Sequence, residues 1–433
     1  MTKTKLSKKF RLALTVFSLV GQVAWVIENM YFNVFIYKMF NASTGEIAAM
    51  VSASAVSATL TTLLIGALSD KLGKRKIFIS GGYVLWGISI CAFSLLRADL
   101  ISAAFPAAAS AASVGVTLVI VMDCVMTFFG SSANDACFNA WVTDSTDHTN
   151  RGSAEGINAM MPLMAILVVF GSCMSMDTSS PDAWSTVFAI MGAAVIVIGI
   201  VGFFIIDEPG VPTVKGEKYF GNIVYGFRPS VIKSNKTLYA SLVAFAVFGI
   251  SIQIFMPYLI LYYTEALKLD NYVLIMAPAV ILAAAATFFY GKLYDRFGFI
   301  KTVIPALGVL AAGYVILCLF TNTAMVFIGS LLMMSGYLCG MAVFGAMIRD
   351  CTPENKSGRF QGLRIVGQVL IPGIIGPFIG KTVLKNAETV IGDDGTASFI
   401  PNQSIFVAAL IAAVIIIPLL IPVHKLMKKE SSK

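Results

Sequence analysis

Twelve apolar stretches alternate with short polar segments along the 433 residues of the chain. Each is long enough for a helix to cross about 30 Å of hydrocarbon, which takes roughly 20 residues. The pattern predicts spans at 12–37, 47–68, 77–96, 111–136, 157–175 and 184–206, then at 238–263, 272–293, 303–319, 324–348, 365–384 and 406–423. The apolar runs are continuous and lack the period-two alternation of a lipid-facing barrel strand, so every span is expected to be helical and strands are set aside. The fold class expected is an all-α membrane protein with twelve transmembrane helices in two pseudo-symmetric six-helix bundles.

The polar segments carry a repeat. GALSDKLGKRK, from Gly66 to Lys76, returns as GKLYDRFGFIK, from Gly291 to Lys301, 225 positions later. In a second pair of loops Asp144, Thr146, Gly152, Glu155 and Gly156 match Asp350, Thr352, Gly358, Gln361 and Gly362 at an offset of 206. Two independent loop pairs therefore point to a duplicated half. The longest polar stretch, 207–236, contains Pro, Gly and five cations and reads as the connection. The expected organisation is a bundle at 1–206, a cytoplasmic central loop at 207–236 and a second bundle at 237–433.

Composition agrees with immersion in lipid: 58% of residues are hydrophobic and only 12% charged. Of 31 Lys and Arg, 26 lie at the termini or in the even-numbered connections. Only Lys38, Arg97, Lys268, Lys381 and Lys385 lie on the other side. This bias predicts a multi-pass protein of the cytoplasmic membrane with both termini in the cytoplasm. It also accounts for the net charge of +8 without a nucleic-acid partner. The expected partners are a small-molecule substrate and the lipid bilayer, and the chain is expected to act as a monomer. Seven cysteines without a CxxC pair read as packing residues, and no metal site or cofactor is expected beyond a proton or sodium as coupling ion. The absence of GxSxG, HExxH and Walker A patterns argues against an enzyme.

Two carboxyl groups fall well inside spans, Glu28 and Asp123. An ionisable side chain there costs about 2.5–3.5 kcal/mol on insertion scales, so each needs a function or a partner. They are the candidates for binding the coupling cation; the bland alternative is a hydrogen bond that fixes helix packing. Around Glu28, Gln22, Asn29 and Asn33 recur at i, i+7 and i+11 beside Trp25. Amides beside an indole suit a hydroxyl-rich solute, so these four are candidate substrate contacts, joined by Thr127, Gln253, Tyr258 and Gln368. Tyr262 and Tyr263 read as an interfacial aromatic belt. In the loops, Gly66 and Gly73 allow a tight turn, and Asp70 is placed to accept from backbone N–H groups or to pair with Arg75 or Arg364. With Asp135, Arg151, Asp295 and Arg296 they form the candidate gating set.

Twelve spans, a long central loop and the phrase built on Gly66, Asp70, Gly73, Lys74 and Arg75 resemble the major facilitator superfamily over essentially the whole chain. The stretches DKLGKRKIFISGG and NAWVTDSTDHTNRGSAEGIN are more similar to its glycoside-pentoside-hexuronide:cation symporters than to sugar uniporters. The second helix departs from melibiose-type members, which place acidic residues within it; here it has only Ser, Thr and apolar residues before Asp70. The resemblance implies cation-coupled symport of a small polar solute, a sugar or glycoside, by alternating access. Proton-coupled drug or metabolite efflux is the alternative within the superfamily, and a non-transporting membrane sensor is the alternative outside it.

Overall fold

Serine and asparagine caps start many of the helices. Ser7, Ser110, Ser180 and Asn322 each accept a backbone N–H from the first turn. Ser43 and Glu46 cap reciprocally: the Ser43 N–H donates to Glu46 Oε2 at 2.7 Å, and the Glu46 N–H donates to Ser43 Oγ at 3.3 Å. The chain is seen in a computed structural model that describes residues 6–106, 110–146, 150–174, 176–208, 225–269, 271–352, 357–391 and 397–431.

In the first half the membrane helices are α1 (Lys8–Phe40), α2 (Thr44–Leu72), α3 (Lys76–Leu95), α4 (Ala111–Asp144), α5 (Arg151–Cys173) and α6 (Pro181–Ile205). The second half holds α7 (Lys236–Ala266), α8 (Val273–Phe297), α9 (Phe299–Leu319), α10 (Thr323–Cys351), α11 (Gly362–Val383) and α12 (Ser404–Lys429). Among the described residues eleven of these are long and apolar enough to cross a bilayer. In α5 the side chains at 151–153, 155–156 and 159 lie outside the described residues, and its described apolar run is Met160–Cys173. The shortest of the eleven are α3, with 20 residues, and α9, with 21.

The described spans are helical, as expected, and one short strand pair lies outside them. Thr389–Ile391 (β1) pairs antiparallel with Ala397–Phe399 (β2), Thr389 opposite Phe399. The hairpin joins α11 to α12, outside the spans, where the prohibition on open strand edges does not apply.

By contacts the chain forms two compact units, residues 1–42 with 53–223 and residues 43–52 with 224–433. The core of the first is aromatic, with Phe32, Phe35, Trp184 and Phe188 packed ring against ring. Its α3 and α6 meet through glycine: a Cβ on Gly87 would lie 2.6 Å from the Gly192 carbonyl oxygen. In the second unit Phe245, Phe248 and Phe344 stack, and Ser52 Oγ donates to the Gly373 carbonyl at 3.1 Å. The repeat is visible in the backbone too. Gly73 and Gly298, equivalent in the two copies, both adopt positive φ, 61° and 76°, where a side chain would be strained.

Candidate functional site

In α1 the α-helical ladder is interrupted by a π-helical turn at Ile27–Tyr31, and Glu28 lies within it. One extra residue per turn rotates everything that follows. The expected amide stripe therefore does not form a single face: Asn29 is exposed, Asn33 is buried and Gln22 is half-buried. Asn29 Nδ2 donates to its own helix at Trp25 O, 2.8 Å, and Asn33 Nδ2 donates to Asn29 O, 3.1 Å. Trp25 packs its ring on Trp86 of α3 at 5.1 Å, with Tyr83 next in line, and both indole N–H groups are buried without a hydrogen-bond partner among the described residues.

Glu28 is 8% exposed and Asp123 2% exposed. Ser54 Oγ of α2 and Thr127 Oγ1 of α4 reach Glu28 Oε1 at 2.8 and 2.9 Å and lie 2.8 Å from each other. Asp123, one turn before Thr127, is within electrostatic reach of Glu28 and shares Ser54 as a hydrogen-bonding neighbour. Glu28 Oε2 and Asp123 Oδ1 are buried and have no hydrogen-bond partner among the described residues. Three helices of the first unit thus bring the two candidate carboxyl groups to one place. Thr127, expected to touch solute, is engaged by Glu28. Ser54 was missed in the sequence because it is one of many small hydroxyl residues between Ser52 and Thr62 and nothing in its spacing marks it.

Asp135 lies in a second π-helical stretch, Ser131–Phe138, where it accepts from Ser131 Oγ at 2.9 Å and Asn134 Nδ2 at 3.3 Å. Tyr83 donates to Asn134 Oδ1 at 2.9 Å, tying this segment to α3. The Arg151 and Gln361 side chains lie outside the described residues, so the pair expected between Asp135 and Arg151 does too.

The repeated loop resolves into a charge cluster. Arg75 is 5% exposed, and its guanidinium meets Asp70 at 2.5 Å, Asp144 at 3.0 Å and Ser69 at 2.5 Å. Glu208 accepts from the backbone N–H groups of Arg75 and Lys76 at the start of α3. Burial works against the Arg75 charge, but the Asp70 and Asp144 carboxylates more than offset it, so the guanidinium pKa stays above its ordinary value. Of the two cations considered for Asp70, Arg75 therefore holds it. In the second copy Ile300 occupies the corresponding position, and Asp350 accepts from Tyr294 at 2.5 Å. Asp295 and Asp350 border an open depression of about 540 Å³. Asp295 and Arg296 are exposed, Arg296 resting on the Phe297 ring at 5.1 Å.

The remaining candidates lie in the second unit. Gln253 is half-buried where Gly376 of α11 packs on it, and Gln368 is half-buried in a π-helical turn of α11, Val366–Leu370. Arg364 is half-buried near the head of that helix. Tyr258 is fully buried and donates to Thr44 O at 3.1 Å. Tyr262 and Tyr263 are not an interfacial belt: both are buried, Tyr262 against Phe406 and Tyr263 with its hydroxyl 2.7 Å from Ser330. Their place near the end of the helix in sequence concealed that α7 is buried on most of its surface.

Among solved structures the chain is similar to a bacterial homologue of the human lysosomal transporter Spinster, in an inward-facing and occupied conformation. Identity is 17%, coverage is 97% of this chain and 98% of that one, and the TM-score is 0.68. The nucleoside transporter NupG is 14% identical, with 96% and 99% covered and a TM-score of 0.64. The xylose transporter XylE from E. coli is 13% identical, with 93% and 96% covered and a TM-score of 0.61. No curated protein matches the sequence. The family profile of the Major Facilitator Superfamily matches residues 14–377 and 274–433, and the chain belongs to that superfamily, as a transporter and not an enzyme.

Proposed function

We propose that the protein is a secondary active transporter that carries a sugar or glycoside by cation-coupled symport and alternating access, in the branch of the glycoside-pentoside-hexuronide:cation symporters. It works from the cytoplasmic membrane with both termini inside. The observation that carries the reading is the dry cluster of Glu28, Asp123, Ser54 and Thr127, in which two carboxyl groups meet with no described basic side chain bonded to them. Ionisable groups are costly in a membrane interior, and taking up and releasing positive charge is the function that suits an unpaired couple of this kind. On α1, the half-buried Trp25 ring and the Gln22 and Asn29 amides are the stacking face and hydrogen-bonding groups offered to a sugar. Likeness to nucleoside and xylose carriers at this level of identity speaks for the fold alone, so the substrate class rests on the residues.

The test is uptake of a panel of radiolabelled sugars and glycosides by proteoliposomes under an imposed proton or sodium gradient. Gradient-driven accumulation of one of them is the expected result; accumulation of none would remove the carbohydrate reading. With that solute, Asp123→Asn should abolish accumulation while leaving counterflow exchange measurable. Accumulation equal to wild type in the variant would take Asp123 out of the coupling step.

A further inference from the structure

Two helices of the second unit end on the wrong charge. Asp295 lies in the last turn of α8 and Asp350 in the last turn of α10, where unpaired backbone carbonyls already concentrate negative potential and a carboxylate is disfavoured. Asp70 and Asp144 hold the same places on α2 and α4 of the first unit, and there the Arg75 guanidinium answers them. Position 300, which corresponds to Arg75, is Ile. Arg296 and Arg349 share the last turns of α8 and α10, but among the described residues neither pairs with Asp295 or Asp350; Arg296 rests on the Phe297 ring instead.

The groups that hold the guanidinium in the first unit are all kept in kind. Arg75 Nη2 donates to Asp70 Oδ1 at 2.5 Å, Nε to Asp144 Oδ2 at 3.0 Å and Nη1 to Ser69 Oγ at 2.5 Å. Their counterparts in the repeat are Asp295, Asp350 and Tyr294, so two carboxylates and a hydroxyl recur. All three border the depression of about 540 Å³. Where the Ser69 hydroxyl accepts from the guanidinium, the Tyr294 hydroxyl donates to Asp350 Oδ2. No other described group bonds either carboxylate. The buried Phe299 and Met347 and the half-buried Met427 line the depression further, a surface suited to an alkyl arm and to a weakly hydrated planar cation.

We propose that this depression is a binding site for a guanidinium group supplied from outside the bundle. The planar fork of a guanidinium offers donors to two carboxylates and a hydroxyl at once, as Arg75 does, whereas an ammonium is a compact, strongly hydrated point charge. Bound there, it ties the end of α8 to the end of α10 as Arg75 ties α2 to α4, so that occupancy braces the second unit in the way the first is braced permanently. A free alkylguanidinium and the arginine side chain of a peptide present the same group, and an open depression of this volume admits either.

The experiment is calorimetric titration of the full chain in phosphatidylcholine nanodiscs with n-butylguanidinium and, at equal charge and arm length, n-butylammonium. One equivalent of n-butylguanidinium is expected to bind, about tenfold more tightly than n-butylammonium. Asp295→Asn and Asp350→Asn should each weaken it by about tenfold. Ile300→Arg supplies the group from within: it should raise the melting temperature and abolish binding of the probe, Ile300→Lys should raise it less, and adding Asp350→Asn should cancel the rise. Acetyl-Gly-Arg-Gly-amide separates the sources, since tighter binding than n-butylguanidinium assigns the site to a polypeptide and weaker binding to a free small molecule, and either result keeps the site. Equal affinity for the two butyl cations in the unaltered chain overturns the proposal whether or not any variant folds, as does probe binding that survives both Asp350→Asn and Ile300→Arg. No transported solute or gradient enters the measurement, so its outcome is independent of the carbohydrate reading.

Discussion

Arg75 has its charge almost wholly enclosed and answered by two carboxylates, and that makes it the most exacting single position in the first unit. Removing one member of a buried ion pair strands the other and costs about 3–5 kcal/mol. Arg75→Ala is expected to fall near the lower end, about 3 kcal/mol, because the Asp70 side chain is 56% exposed and can recover water. Asp144, at 21%, is less screened by water, so its attraction to Arg75 is weakened less and Asp144→Asn should lower the melting temperature in detergent more than Asp70→Asn. Equal shifts would mean that exposure does not rank the two partners. Arg75 was legible in the sequence because it closes the loop phrase of Gly66, Asp70, Gly73 and Lys74 that resembles the superfamily pattern. Its partners were less so: Asp144, on the guanidinium, and Glu208, on the Arg75 backbone N–H, lie 69 and 133 positions away, and only folding brings them there.

At the scale of helices, the sequence revealed where they run but not how their faces turn. Apolar length alone was enough to place the spans of both halves. It could not reveal the π-helical turns at Ile27–Tyr31, Ser131–Phe138 and Val366–Leu370, since one inserted residue in a hydrogen-bond ladder leaves no mark on hydropathy. Those turns contain Glu28, Asp135 and Gln368, so periodicity failed where the candidate chemistry lies. Crossings between helices are similarly hidden. Gly87 faces the backbone of α6, whereas Gly81, on the same helix, has nothing within 4 Å of where a Cβ would sit. Gly87→Ala should destabilise by about 1–3 kcal/mol through overpacking. Gly81→Ala should be neutral or stabilising by up to about 1 kcal/mol, as alanine is the better helix former. Thermal unfolding of the two variants side by side gives the comparison, and a loss of the same size in both would show that close approach is not the cause.

For the molecule as a whole, the side on which each terminus emerges depends on an even number of crossings, and the crossing to test is α5, whose described apolar run is Met160–Cys173. If α5 crosses, tags at residue 1 and residue 433 are modified from the same side of sealed right-side-out vesicles, and only after permeabilisation. Labelling of one tag without permeabilisation would show that α5 does not span. The two-fold writing of the chain was legible from its loops, yet the copies have not kept the same chemistry: Arg75 has no counterpart at Ile300.

The lengths of α3 and α9 add a consequence for the surrounding lipid. They hold third place in their respective halves, and at 1.5 Å per residue each measures roughly 30 Å, which equals the hydrocarbon thickness with nothing to spare. Longer helices such as α1, with 33 residues, and α4, with 34, accommodate a thicker layer by tilting less. Acyl chains that add a few ångströms would pull the ends of α3 and α9 below the headgroups first, taking with them the Arg75 cluster at the mouth of α3. Reconstitution in a series of phosphatidylcholines of increasing chain length should therefore show a thickness above which stability drops, and the Gly87 crossing should be where the strain is felt.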